Sequence, residues 1–157
     1  MENIKKKWLI KKLNKKLSFS KAAKLIVNKK LDELFFNINI FLKDDGVENL
    51  HNVRNSIRRV RYILEVVYPC FPQEELLNFY AKLKSLQDLL GEARDLDVIM
   101  EKLKFISSTY SSQIDESIYK DMISKRKSFS QQISIALIEF MKSDLINKFH
   151  KIKTGDT

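Results

Sequence analysis

The sequence predicts an all-α protein, an antiparallel helical bundle of five to six long helices in a single domain. Three observations lead there. The chain has 157 residues, a one-domain length, and at 44% hydrophobic it can bury a core. It holds only three Gly and two Pro, so tight turns are scarce and the segments between them must be long. Apolar residues recur at spacings of three and four along most of the chain, and no segment competes with a strand-like alternation.

Residues 4–17 place Ile4, Trp8, Leu9, Leu13 and Leu17 among seven lysines, the pattern of a basic amphipathic N-terminal helix. Its apolar stripe either packs on the domain or serves as an arm for a membrane surface or a polyanion. Residues 20–43 carry Leu25, Ile26, Leu31, Leu34, Phe35, Ile38, Phe41 and Leu42 at helical spacing. Ser20 is the expected cap, and Gly46 after Asp44-Asp45 is expected in the left-handed position that stops the helix. Residues 47–68 form the next helix, stopped by Pro69 and Pro72. Residues 73–90 follow, and Gly91 is expected to weaken or break that run. A further helix over 95–108 would start at Asp95 as its cap, with a polar loop from Ser107 to Gln113. Residues 115–150 read as one long C-terminal helix, with a possible interruption at Ser128–Ser130.

No stretch of eighteen apolar residues exists, so no membrane span is expected, and the N-terminus lacks the apolar run of a secretory signal. The lone Cys70 excludes an internal disulfide and a multi-cysteine metal site, and fits a reducing cytoplasm. A net charge of +9 points to anionic partners. That excess is mostly N-terminal: residues 1–30 hold eleven Lys against one Glu, while the rest of the chain is nearly balanced. The overall charge therefore does not locate a site.

Residues 51–65 do. Projected at about 100° per residue, Arg54, Arg58 and Arg61 fall within about 60° of one another, with His51 beside them. Val53, Ile57, Val60, Ile63, Leu64 and Val67 occupy the opposite, core-facing side, and Arg59 flanks the core stripe from the other edge. His51 to Arg61 spans about 15 Å along the axis. The chain uses 23 Lys but only six Arg, and four of those Arg lie within residues 54–61. Lysine serves elsewhere as the solubilising charge. Arginine is concentrated where a rigid two-pronged donor, matched to phosphate oxygens, has a use. Arg54 and Arg58 repel each other at i,i+4, and only Arg61 has an acidic i+4 neighbour, Glu65. Such a face fits an incoming anion, a carboxylate from another helix, or a plain solvated surface.

The pattern His51-x2-Arg54-x3-Arg58-Arg59-x-Arg61-Tyr62 resembles the signature of CHAD domains, the conserved histidine α-helical domains. A second block, Leu83-Lys84-x-Leu86-Gln87-x2-Leu90-Gly91-x2-Arg94-Asp95-x-Asp97-Val98, is similar to the family's later motif. The resemblance runs over about residues 20–110, with weaker agreement in the final helix. It implies an all-helical fold and binding of inorganic polyphosphate in a basic pore. It further implies a binding role for His51, Arg54, Arg58, Arg59, Arg61, Lys84 and Arg94. Tyr62 matches an aromatic position, and Asp95 and Asp97 match as a cap or an arginine partner. CHAD domains typically carry two four-helix halves, whereas this chain carries one such motif. A homodimer could complete the pore, using the N-terminal stripe and the apolar face Ile133, Leu137, Phe140, Met141 and Leu145.

Two other functions compete. Nucleic acid would satisfy the same arginines through its phosphates, but the 54–61 face has little aromatic interleaving for base stacking. A histidine phosphotransfer bundle would use His51 as acceptor; Arg54 fits the basic residue wanted three positions on, while Asn55 departs from the small residue wanted four on. Enzymatic turnover of a phosphate chain is not expected, since the sequence has no Gly-rich phosphate loop, and neither a cofactor nor a metal is implied.

Overall fold

A computed structural model of the chain describes residues 10, 13–110, 114–144 and 146. These form four α-helices: α1 (Phe19–Phe41), α2 (Val47–Val67), α3 (Gln73–Tyr110) and α4 (Glu116–Lys142). A single 3-10 turn, Tyr68–Cys70, separates α2 from α3. No strand occurs among the described residues. The all-α class stands, and among the described residues there are four helices against the expected five to six. Each helix packs against the next in sequence, and the short connections make neighbours antiparallel.

The core is built from one stripe of each helix. Leu31, Leu34, Ile38 and Phe41 of α1 meet Leu50, Ile57 and Leu64 of α2, Phe79, Leu83 and Leu90 of α3, and Ile133, Leu137 and Phe140 of α4. Burying one such side chain contributes roughly 1.5–3 kcal/mol. The Phe79 and Phe140 rings lie 5.8 Å apart between α3 and α4. One polar pair links α1 and α2 beside the core: Asn37 Nδ2 donates to Ser56 Oγ at 2.6 Å.

The helix ends differ from the sequence reading in ways that have local causes. α1 starts two residues early because Ser18, not Ser20, caps it, its Oγ accepting from the Lys21 amide. Gly46 does not stop α1 in a left-handed conformation; it sits at φ −57° as the residue that opens α2. Asp44 shapes this turn instead, its Oδ1 accepting from the Gly46 amide while Asn49 donates to its backbone and carboxylate oxygens.

The predicted N-terminal helix over 4–17 lies largely outside the described residues. Its described end, from Leu13 to Leu17, is turn and not helix. There Asn14 Oδ1 accepts the Lys16 amide, the local bond by which Asn competes with a helix ladder.

The largest departure is in α3. Gly91 neither breaks nor interrupts it, and the helix runs through to Tyr110, so Asp95 is an interior residue and Ser107–Tyr110 is helical and not loop. A mid-helix glycine costs only about 1 kcal/mol relative to alanine. Leu86, Leu90, Ala93 and Asp97, buried on both sides of it, offset that cost. In the same way α4 passes Ser128–Ser130 uninterrupted, because Ser130 is buried against its neighbours. It starts at the Asp115 cap, whose carboxylate accepts the Ser117 amide, and runs to Lys142; after the bend at Ser143, Asp144 and Ile146 are again helical, and the rest of the predicted run to 150 lies outside the described residues.

At 38 residues α3 is about 57 Å long, against about 34 Å for the 23 residues of α1. Its excess forms a projecting hairpin with the first half of α4. Beyond Asp97 no described residue of α3 is buried, and none of α4 is buried before Ser130. This hairpin exposes Ile99, Phe105, Ile106, Tyr110, Ile118 and Ile123. The apolar face predicted for self-association behaves otherwise: Ile133, Leu137 and Phe140 are spent in the bundle's own core.

Candidate functional site

α2 lies between α1 and α3, and its outward side is the predicted basic face. Burial of Val53, Ile57, Val60 and Leu64 fixes the helix's rotation, which turns Arg54, Arg58 and Arg61 towards the α3 side. Arg61 is held across the groove between the two helices. Its Nη1 donates to Gln87 at 3.0 Å, and its Nη2 donates to the Tyr80 hydroxyl at 2.7 Å. The Tyr80 hydroxyl in turn donates to Glu65, and the guanidinium carbon stands 4.7 Å from the Tyr80 ring centre. The expected Arg61–Glu65 contact is thus relayed through a tyrosine and is not a direct ion pair.

Two buried guanidinium donors remain unused. Arg54 Nε and Arg61 Nε are both buried without a hydrogen-bond partner among the described residues. None of Arg54, Arg58, Arg59 and Arg61 forms an ion pair among those residues. A buried donor left unpaired costs about 1–3 kcal/mol, so each of these two N–H groups would be stabilised by an acceptor that reached it. Arg58, between them along the helix, is solvent-exposed.

The facing wall is a stripe of α3. Tyr80, Lys84, Gln87, Gly91 and Arg94 follow one another at spacings of four and three, and so share a side of the helix. Tyr80 and Gln87 both touch Arg61, which turns the stripe towards α2. The Glu65–Tyr80 contact sets the register of this antiparallel pair. Equal rise along both helices brings Lys84 level with Arg61, Gly91 with Arg54, and Arg94 with His51. Lys84 is exposed and Arg94 half-buried. This register puts His51, Arg54, Arg58 and Arg61 on the side of α2 that faces the Lys84 and Arg94 stripe of α3; of these six, Arg61 is the one with a side-chain hydrogen bond to α3 among the described residues.

Arg59 is not with them. It opens on the other side of α2, into a groove shared with α1 and lined by Lys29, Lys30, Asp32, Glu33 and Asn52. Carboxylates make that second groove mixed in charge. Tyr62 is 56% exposed on the outer surface of α2. His51 pairs with Asn55 one turn on, the Asn55 amide lying 2.7 Å from Nε2. With Asn55 donating, the ring proton sits on Nδ1.

Of the two aspartates, Asp95 is exposed and caps nothing, while Asp97 is the arginine partner. Its Oδ1 accepts from Arg126 Nε at 2.9 Å. Arg126 also donates to Ser130 Oγ and, at 3.0 Å, to the Asp45 carbonyl, tying α3, α4 and the α1–α2 turn together. Sequence reasoning missed Arg126, since its partners lie up to 81 positions away. It also assigned no role to Tyr80 and Gln87, although their spacing from Lys84 and Arg94 was a usable signal.

No group of three or more His, Cys, Asp or Glu placed to hold a metal occurs among the described residues. No described helix is long and apolar enough to cross a membrane. Compared with known proteins, the chain matches the family model of the CHAD domain over residues 25–149. No curated protein and no solved structure matches it.

Proposed function

The chain belongs to the CHAD domain family, a family of polyphosphate-binding domains in general, and from that premise we propose that it binds inorganic polyphosphate in the α2/α3 groove without turning it over. The observation that carries this reading is the pair of buried, unpartnered guanidinium donors of Arg54 and Arg61 on a face with no carboxylate ion pair. A phosphate chain offers an acceptor oxygen at every unit, and charge-assisted bonds of this kind contribute about 1.5–3 kcal/mol each. Arg58, Lys84 and Arg94 add charge along the rims, and His51 extends the track at the far end.

The groove's groups are guanidinium, ammonium, phenol and amide, which hold phosphate oxygens. Nε2 of His51 is engaged by Asn55, which disfavours it as a phospho-acceptor. Arg59 faces a different groove and belongs to this site only if the chain wraps around α2.

The test is binding of long-chain polyphosphate to wild type and Arg58→Ala, in competition with RNA and DNA at fixed salt. Polyphosphate should win, and Arg58→Ala should weaken it by about tenfold or more, since 1.4 kcal/mol is tenfold. Its helicity should be unchanged, because the substitution relieves the repulsion between Arg58 and Arg54. Preferential nucleic-acid binding, with exposed Tyr62 as a stacking surface, would replace this reading. Self-association belongs to the same proposal: a second copy would supply another groove, with the projecting α3/α4 hairpin as the apolar contact. A monomeric mass by light scattering, with and without polyphosphate, would refute it. We place the protein in the cytoplasm, where the lone Cys70 stays reduced.

A further inference from the structure

Gly91 sits at the middle of the groove and in the middle of a 38-residue helix. Glycine there lowers helix stability relative to alanine, so its presence asks for a cause. The usual causes are missing. Its backbone has no positive φ, and the helix continues without interruption on both sides. A Cβ built at Gly91 meets nothing within 4 Å, so no neighbouring helix needs the space. The fold itself would accept a side chain.

What a side chain would fill is the open groove. Gly91 lies on the stripe of Tyr80, Lys84, Gln87 and Arg94, level with Arg54, whose buried Nε has no partner. We infer that Gly91 is a specificity-determining position: a bare stretch of helix backbone that lets a phosphate chain lie low enough to reach the Arg54 donor. A side chain here would lift the chain towards the rims, leaving contact with the outer cations but not with the buried one. A narrow, flexible polyanion without bases fits such a floor better than a duplex does. The inference rests on the proposed polyphosphate reading.

The test compares wild type, Gly91→Ala and Gly91→Gln for thermal stability and for polyphosphate affinity. Alanine and glutamine are both better helix formers than glycine, so both variants should melt higher than wild type. Glutamine carries no charge, leaving the electrostatics of the groove unchanged. Gly91→Gln should bind polyphosphate about tenfold or more weakly, the loss expected for one charge-assisted phosphate contact. Gly91→Ala should fall between the two. In the background of Arg54→Ala the Gly91→Gln effect should shrink, because the contact it blocks is already gone. A more stable Gly91→Gln that binds as tightly as wild type overturns this inference alone. A wild-type protein that does not bind polyphosphate overturns the functional reading on which it stands, and this inference with it.

Discussion

Arg126→Met would break the buried ion pair at the base of the projecting hairpin. The Asp97 side chain is 2% exposed and that of Arg126 12%, so solvent screens the pair little. Loss of the guanidinium removes the bonds to Asp97 Oδ1, Ser130 Oγ and the Asp45 carbonyl together. Ser130 can turn its hydroxyl back to its own helix. Asp97 has no such recourse, since its Oδ2 is already buried without a partner. Removing one member of a buried pair costs about 3–5 kcal/mol. A domain of this kind is stable by about 5–15 kcal/mol, so the loss would be a large share of the total.

The double variant Asp97→Leu with Arg126→Met should behave differently. It strands no charge, and replacing both partners by apolar groups is often neutral or stabilising by about 1–4 kcal/mol. Urea unfolding followed by circular dichroism would give both numbers, provided the slope stays constant across the set. The reasoning fails if Arg126→Met costs less than about 1 kcal/mol, or if the double variant is the less stable of the two.

Further outcomes follow from the same geometry. Tyr80→Phe keeps the ring against Arg61 but removes the hydroxyl that links Arg61 to Glu65; it should cost about 1 kcal/mol of stability by denaturant unfolding. It should also free Arg61 Nη2 for ligand, so polyphosphate affinity should hold or rise, and a large loss of affinity would show that the relay positions Arg61. Asp115 has a carboxyl pKa lowered by its bonds from the backbone and side chain of Ser117. A lowered folded-state pKa means its contribution to the start of α4 is present above the unfolded value and is lost as pH falls through the folded one. The protection of the Ser117 amide relative to its intrinsic exchange rate should therefore fall as the pH drops through the folded value, and Asp115→Ala should remove that dependence.

Helical periodicity was enough to read the class of fold and the face of α2 that meets the core. Of the predicted core residues, Val53, Ile57, Val60, Leu64 and Val67 are buried, while Ile63 is only partly buried at the edge of the core. Helix limits were harder to read because they are decided by competition. Gly91 and Asp95 carry local signals for a break and a cap, and the flanking buried Leu90, Ala93 and Asp97 override both. The basic face was visible in the spacing of Arg54, Arg58 and Arg61. Its far wall was visible only as a motif, since nothing local says that Tyr80 and Gln87 turn towards Arg61. Arg59 shows the limit of a helical projection: it gives an angle, and the neighbouring helix decides which groove that angle opens into. Arg126 had no local signature, because an ion pair across 29 residues depends on how helices are stacked.

The projecting hairpin gives the molecule two thermal regimes. From Asp97 to the end of α3 is about 20 Å of helix held by one flank only. Opening that arm exposes no core, so its amides can exchange through excursions far smaller than global unfolding, while those of the bundle cannot. The Arg126–Asp97 pair sits at the boundary, where exchange rates should step from fast to slow. A partner that grips the tip would thus pull on a lever hinged at a buried charge. The groove behind that hinge, one helical turn from Arg94, would be the first part of the bundle to register the load.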